Sequence, residues 1–223
     1  MSIFGKSSKE EQVTTASVKK STGTSVSTHS TTIITKCMNI KGDIEGCGTI
    51  HIDGIVHGDL TIEDSVVIGV SGKVYGNIKS KKVIISGLLE GSIACTTLEV
   101  TKTGNVSDKI DAVDIISDGT LKATIYAEKS IHIKSNGNVE TEGIEAKNII
   151  VNGLITGDIT VSELLEISKD GQVKGTMRVK KIKVTEGGLM LGTMLTYSAA
   201  NTVSKKSEDE VEDQELIGEE DTE

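Results

Sequence analysis

Between residues 33 and 197, apolar residues alternate with polar or small residues in short stretches that glycine interrupts. Strict alternation is the pattern of a β-strand with one buried face, and no segment keeps the 3.6-residue period of a helix. The stretch from Gly54 to Ile93 shows the pattern most clearly, because it contains the related phrases GIVHGDL, GKVYGNI and GLLEGSI. The pattern predicts an all-β fold built from many short strands.

The phrase recurs through the whole alternating region, and its central small residue returns every 15–18 residues. The central positions are Gly42, Gly58, Gly76, Gly91, Asp108, Ala123, Thr141, Gly157, Gly175 and Gly192. A fixed period of this length is typical of a solenoid in which each repeat forms one coil. We therefore predict a single-stranded parallel β-helix, a triangular solenoid of about ten coils.

Apolar residues around each central position predict the core. One lies two positions before it: Ile40, Val56, Val74, Leu89, Val106, Leu121, Val139, Ile155, Val173 and Met190. An alternating pair follows most of them: Ile50/Ile52, Val66/Ile68, Val83/Ile85, Leu98/Val100, Val113/Ile115, Ile131/Ile133, Ile149/Val151 and Ile182/Val184. Glycine recurs four positions before the centre and is expected to form corners with positive φ. Gly143 breaks the apolar pattern after Thr141, which predicts a one-residue β-bulge.

Composition divides the chain into three predicted parts. Residues 1–32 end in a run of Ser and Thr and are predicted to be a disordered leader, residues 33–197 the β-helix, and residues 198–223 a disordered acidic tail. Residues 205–223 carry ten of the 33 acidic residues. The chain has no Trp, no Pro and one Phe, which suits a thin solenoid filled with Val, Ile and Leu. Cysteines without metal-like spacing indicate a reducing cytoplasm.

The chain shows no pattern for catalysis, and we predict no enzyme, no metal and no cofactor. It contains no nucleophile motif, phosphate-binding glycine loop or HExxH zinc motif. Alternation turns His51 and His132 outward, where a surface role is expected. Nucleic acid is not an expected partner, because Arg178 is the only arginine and the formal net charge is −9.

Charged and polar residues six positions after the central residue are predicted to form a column along one corner: Asp64, Lys82, Thr97, Asp114, Lys129, Lys147, Glu163 and Lys181. The column could be a charged stripe that binds a partner. Alternatively, its residues could form ladder pairs, meaning pairs of opposite charge on adjacent strands of neighbouring coils. The expected pairs are Asp64/Lys82, Asp114/Lys129 and Glu163/Lys181. The acidic tail has two interpretations as well, a solvated end or a segment that spaces solenoids or binds a basic partner.

The two ends of the solenoid are the candidate functional surfaces. A stack of strands without caps has unpaired edges on which another stack can grow. No amphipathic capping helix precedes Ile33, and the last coil is the most apolar. The predicted self-association residues are Ile34, Met38 and Ile40 at one end, and Leu189, Met190, Leu191, Met194 and Leu195 at the other. The alternative is that the leader or the tail folds over the ends.

The N-terminal sequence MSIFGK is a candidate membrane anchor. Its apolar residues Met1, Ile3 and Phe4 precede Lys6, and Phe4 is the only Phe of the chain. One short motif would bind lipid weakly, but an array of copies on a polymer would bind well. The alternative is an ordinary disordered start of the chain.

The chain resembles the bactofilins, which are bacterial polymer-forming cytoskeletal proteins. The resemblance is closest over Ile40–Ile93, IKGDIEG…IHIDGIVHGDL…VVIGVSGKVYGNI…VIISGLLEGSI, and extends more loosely over the whole repeat region. It implies a right-handed β-helix, nucleotide-free filaments joined end to end, and an N-terminus at the inner face of the cytoplasmic membrane. It also implies scaffolding of cell-wall enzymes or cell-shape factors. Two features depart from the family: the chain has more coils than expected, and no Phe follows Phe4.

These observations predict a structural cytoskeletal protein whose main partner is itself. The subunits are expected to join end to end without a nucleotide, at the inner face of the cytoplasmic membrane, and to scaffold cell-envelope factors. The alternative is a solenoid binding module that does not polymerise and presents a charged face to a protein partner.

Overall fold

The computed structural model describes residues 30–197, which form seventeen β-strands and no helix. The first nine strands are β1 (Thr31–Ile34), β2 (Asn39–Lys41), β3 (Ile44–Gly46), β4 (Thr49–Ile52), β5 (Ile55–His57), β6 (Leu60–Ile62), β7 (Ser65–Ile68), β8 (Lys73–Tyr75) and β9 (Ile78–Ile85). The other eight are β10 (Leu88–Glu90), β11 (Ile93–Val100), β12 (Asn105–Ser117), β13 (Thr120–Ile133), β14 (Asn138–Val151), β15 (Leu154–Ile167), β16 (Gln172–Val184) and β17 (Leu189–Thr196).

Each strand pairs in parallel with the equivalent strand of the next coil, and the pairs build three faces. Face A consists of residues 31–34, 49–52, 65–68, 82–85, 97–100, 114–117, 130–133, 148–151, 164–167 and 181–184. Face B consists of residues 39–41, 55–57, 73–75, 88–90, 105–107, 120–122, 138–140, 154–156, 172–174 and 189–191. Face C lies between faces B and A in each coil and includes β3, β6 and the centres of β12–β16. The predicted parallel β-solenoid of about ten coils is confirmed.

Columns of branched aliphatic side chains fill the interior. In the second coil, Ile50, Ile52, Val56 and Leu60 are all at most 1 % exposed, and the same positions are buried in the following coils as far as Met177. Full burial of one such side chain contributes about 1.5–3 kcal/mol. The core therefore runs from coil to coil along the solenoid, and each inner coil is stabilised by its two neighbours.

The predicted core pair Val113/Ile115 was wrong by two residues. Face A pairs Leu98 with Ile115 and Val100 with Ser117, and Val113 is only half-buried at the corner. The pattern suggested the earlier pair because Ser117, which occupies the second core position, is not apolar. The alternation also extends to Leu165 and Ile167, a buried pair that the prediction omitted.

The recurring glycines have a different role from the one predicted. Those four positions before the centre, such as Gly72 and Gly87, are absent from the positive-φ set. A Cβ at Gly72 would overlap the carbonyl oxygen of Ile52, and one at Gly87 would overlap that of Gly72. Close approach of neighbouring coils therefore requires glycine there, whereas positive φ belongs to central residues such as Gly58, at +149°.

The predicted bulge at Gly143 is confirmed by the strand register. Lys122 lies opposite Glu140 and Ile125 lies opposite Ile144, so β14 contains one residue more than β13 over this interval. The Thr141 Oγ1 atom lies 3.0 Å from both the backbone nitrogen and the carbonyl oxygen of Gly143. The hydroxyl group therefore compensates for ladder hydrogen bonds that the bulge displaces.

Asp and Asn side chains link successive coils at the corners. At the corner between faces B and C, Asp43 accepts a hydrogen bond from the Asp59 backbone N–H at 2.8 Å, and Asp59 accepts one from that of Asn77 at 2.8 Å. At another corner, Asp118 accepts hydrogen bonds from the side chain and backbone of Asn136. The side-chain hydrogen bond contributes most to lowering the pKa of the Asp118 carboxyl.

Candidate functional site

The C-terminal end of the solenoid is a row of strands that are paired on one side only. Within the described chain, β17 pairs only with β16, and the last four residues of β16, on face A, pair only with β15. The backbone groups on the other side of these segments have no strand partner in residues 30–197. An edge of this kind is a template for adding further strands.

The side chains at this end are apolar and exposed. All five residues predicted for self-association at this end are between 36 and 52 % exposed. They are Leu189, Met190, Leu191, Met194 and Leu195. Met190 and Met194 continue the core columns, because they lie in register with the fully buried Val173 and Met177. The core column thus ends as an open apolar surface that a further coil could cover.

The three leucines of this coil have a feature that sequence analysis missed. Leu191 and Leu195 lie in register with Lys174 and Arg178, so they occupy outward positions that are charged in the preceding coil. Leu189 likewise lies opposite Gln172. The alternation already contained this signal, because leucine appears at positions of the opposite parity from Met190 and Met194. The last coil is therefore apolar on its outer side as well as toward the core.

The N-terminal end is less apolar than the C-terminal one. Ile34 is 5 % exposed and already belongs to the core, whereas Ile40 is half-buried and Met38 is 50 % exposed. Ile33, which was not predicted as a self-association residue, is 63 % exposed on the outer side of β1. Of the predicted residues at this end, Met38 therefore presents the largest apolar surface.

The predicted membrane anchor Met1, Ile3 and Phe4 lies outside the described residues. Within residues 30–197, no helix is long and apolar enough to cross a membrane.

Two of the three predicted ladder pairs in the charged column, Asp114/Lys129 and Glu163/Lys181, do not form, and at the third site Asp64 forms an ion pair with Lys81. Asp114 lies opposite Ser130 and accepts its hydroxyl hydrogen bond at 2.6 Å, rather than pairing with Lys129. Glu163 accepts a hydrogen bond from Asn148 Nδ2 at 3.1 Å, and Lys181 lies opposite Leu164. The observed ion pairs join Lys81 with Asp64, Lys122 with Glu140 and Lys183 with Glu166.

The remaining chemically active side chains are dispersed. His51 Nε2 lies 3.2 Å from Asp53 Oδ2, and His57 stacks on Tyr75 with ring centroids 4.8 Å apart. Burial, reinforced by the charge of Asp111, raises the pKa of the Cys95 thiol to about 12. No group of three or more His, Cys, Asp or Glu side chains in the described coils is arranged to hold a metal ion.

Comparison with known protein families gives two matches to a single family model. The sequence model of the family described as bactofilin, polymer-forming cytoskeletal, matches residues 32–117 and again residues 112–194. The matches cover more than half of the chain. The class of protein is therefore a structural, cytoskeletal β-solenoid. The chain belongs to the bactofilin family.

Two curated relatives come from Myxococcus xanthus (strain DK1622). Bactofilin BacO is 30 % identical over 81 residues, which cover 36 % of this chain and 64 % of the relative. Bactofilin BacP is 25 % identical over 125 residues, which cover 56 % of this chain and 43 % of the relative. The matched regions thus span less than two thirds of either relative. No solved structure matches the chain.

The two family matches overlap only at residues 112–117, near the middle of the solenoid. Each match corresponds to about five coils. This arrangement accounts for the number of coils, which exceeds the sequence-based expectation for a bactofilin. The core runs through the junction without interruption, since Ile110 and Ile125, on either side of it, lie in register and are at most 1 % exposed.

Proposed function

We propose that this bactofilin assembles end to end into filaments without a nucleotide, and that the last coil is one of the joining surfaces. The observation that carries the proposal is the exposed apolar surface of that coil on an unpaired strand edge. Stacking a second solenoid there would cover Met190 and Met194 and pair the free edge of β17. Met38 and Ile40 are the proposed contact residues at the opposite end, where Ile34 is already buried in the core.

We further propose that the filament lies at the inner face of the cytoplasmic membrane and scaffolds cell-wall enzymes or cell-shape factors. The support is family membership together with the apolar residues Met1, Ile3 and Phe4 at the start of the chain. A polymer would present many copies of this weak anchor, so avidity would compensate for its small apolar area. Binding of wild-type and Phe4→Ala filaments to liposomes tests this part separately, and equal binding would contradict it.

Negative-stain electron microscopy of the purified full chain tests filament assembly. The test variant carries Leu191→Arg and Met194→Arg, which place two charges on the proposed joining surface. The control variant carries Val70→Arg and Ile150→Arg, because these residues are also exposed and apolar but lie away from both ends. We expect filaments in the wild type and the control, and short separate particles in the test variant.

Two results would contradict the proposal. Monodisperse short particles in all three samples would exclude self-assembly and favour the alternative of a solenoid binding module with a charged face. Filaments in all three samples would show that assembly does not use the last coil.

A further inference from the structure

The C-terminal end combines its apolar coil with an unusual concentration of positive charge. Residues 171–184 contain five cations and no acid. We name Lys174, Arg178, Lys180, Lys181 and Lys183 the C-terminal cationic cluster. The last four lie along six consecutive residues of β16 that pass from face C around the corner to face A. All except Lys174 are exposed.

Most of this charge has no counterion within the described chain. Lys183 forms an ion pair with Glu166, with Nζ and Oε1 2.6 Å apart. Lys174, Arg178, Lys180 and Lys181 form no ion pair with any residue between 30 and 197. Lysine on an unpaired strand edge can serve simply to discourage sheet extension. Two features of the neighbouring chain point to a more specific role.

The first feature is where the described chain ends. The backbone N–H of Tyr197 donates a hydrogen bond to the carbonyl oxygen of Val179 at 3.0 Å. Val179 lies between Arg178 and Lys180, so the described part of the chain ends beside the cationic cluster. The next 26 residues end at Glu223. At about 3.3 Å per residue, even the first dozen of them could reach any cation of the cluster.

The second feature is the composition of that segment. Residues 205–223 carry ten acids and two lysines, and the apolar pair Leu216 and Ile217 lies between the acids. Acids complement the cluster, and the apolar pair complements the outward leucines Leu191 and Leu195. Because the segment is covalently attached, its effective concentration at the cluster would be in the millimolar range, which favours it over a free anionic partner.

We propose that the acidic tail, residues 205–223, binds the C-terminal cationic cluster of its own chain and covers the outward leucines of the last coil. Its acids pair with Arg178, Lys180 and Lys181, and Leu216 and Ile217 contact Leu191 and Leu195. The tail and a second solenoid then compete for the same end. This consequence for assembly rests on the proposed function, whereas binding of the tail does not.

Zero-length carbodiimide coupling of the full-length protein tests tail binding, because it joins only carboxyl and amino groups that are in contact. An equal mixture of unlabelled and ¹⁵N-labelled chains at low concentration distinguishes links within a chain from links between chains. Mass spectrometry should find residues 208–215 linked to Lys180, Lys181 or Lys183 within one chain. The yield should fall several-fold in high salt, since the contact is between exposed charges.

Matched variants show whether the link depends on the cluster. Lys174→Gln with Arg178→Gln removes two charges that are not the measured coupling sites, and should reduce coupling at Lys180 and Lys181 several-fold. Lys79→Gln with Lys82→Gln removes the same charge from a basic corner of an earlier coil, and should leave that coupling unchanged. Equal coupling of the tail to Lys79, Lys81 and Lys180 in the wild type would overturn the proposal, as would links between chains only.

Light scattering measures the consequence for assembly. A full-length variant in which the six acids of residues 208–215 are replaced by Gln or Asn should assemble at a several-fold lower protein concentration than the wild type. If links form within single chains but no sample assembles, the proposal of tail binding stands and the proposed function is overturned. If the protein assembles but no links form within single chains, the proposed function stands and the proposal of tail binding is overturned.

Discussion

Ser117 lies in register with Ile133, inside a core column that otherwise consists of Ile and Val side chains. Its neighbour on the other side is Val100, and all three residues are at most 1 % exposed. The Ser117 hydroxyl is buried without a hydrogen-bond partner among the described residues. A buried hydroxyl of this kind destabilises a fold, because its hydrogen bond to water is lost and not replaced.

Replacement of Ser117 by Val is therefore expected to stabilise the solenoid. The change removes the unsatisfied hydroxyl and adds buried methyl groups, so the free energy of unfolding should rise by about 1–3 kcal/mol. Thermal unfolding followed by circular dichroism measures the effect, with Thr124→Val as the control, because Thr124 is exposed on a neighbouring coil. A lower midpoint for Ser117→Val would mean that the column has no room for the larger side chain.

Asp108 is the one described residue other than glycine with positive φ, at +104°. It occupies the central position that is glycine in coils such as those of Gly91 and Gly157. Side chains are strained in this region of φ, so Asp108→Gly should stabilise the fold by about 1 kcal/mol. Asp111→Gly is the matched control, since it removes the same charge from β12 at a residue without positive φ and should be destabilising. Equal shifts in the unfolding midpoint would contradict the assignment of strain to Asp108.

Gly143 and Gly157 should respond in opposite ways to alanine. A Cβ at Gly143 would meet no atom within 4 Å, and its φ is outside the restricted region. Gly157 has φ +137°, and a Cβ there would overlap the carbonyl oxygen of Thr141. Gly143→Ala is therefore expected to be neutral or stabilising by about 0.4–1 kcal/mol, and Gly157→Ala destabilising by more than that. Denaturant unfolding of the two variants checks the prediction, which fails if Gly143→Ala is the more damaging.

Cys95 should be the least reactive of the three cysteines. Burial raises the pKa of its thiol to about 12, whereas Cys37 and Cys47 are exposed. The thiolate is the reactive form, so at pH 8 alkylation of Cys95 should be at least about a hundredfold slower than that of the other two. Raising the pH to 9 should leave most of this difference, because the folded thiol stays protonated.

A time course of iodoacetamide labelling, with each site quantified by mass spectrometry, measures the three rates. The same reaction in denaturant is the control, and there Cys95 should react as fast as Cys37. Rapid labelling of Cys95 in the folded protein would show that the β11 strand opens locally.

Sequence reasoning placed residues correctly where burial depends on local alternation. It failed where a residue's pairing depends on the neighbouring coil. The inward apolar positions were found because side chains of a strand alternate between two faces. The pair Val113/Ile115 was misplaced because corners differ in length and a serine interrupts the apolar column. Lys129 was predicted to pair with Asp114, but the strand register places Ser130 there instead.

The candidate site was predicted in part for the same reason. Met190 and Met194 follow the period of the core, and their exposure at the last coil follows from the end of the repeats. The buried state of Ile34 at the other end was not evident, because burial in a terminal coil depends on how the chain packs around it. The position of Tyr197 beside Arg178 and Lys180 was also beyond prediction, since it depends on a backbone hydrogen bond between different coils.

The sequence by itself determined the class of fold, the number of coils and the apolar character of the last coil. These follow from a two-residue alternation and a 15–18-residue repeat, both of which are properties of short segments. Only the tertiary structure decided the register at Ser117, the ion pairs, and the position of Leu191 and Leu195 opposite Lys174 and Arg178. Each of these depends on which residue of the next coil lies opposite, and that is set by the lengths of the corners between strands.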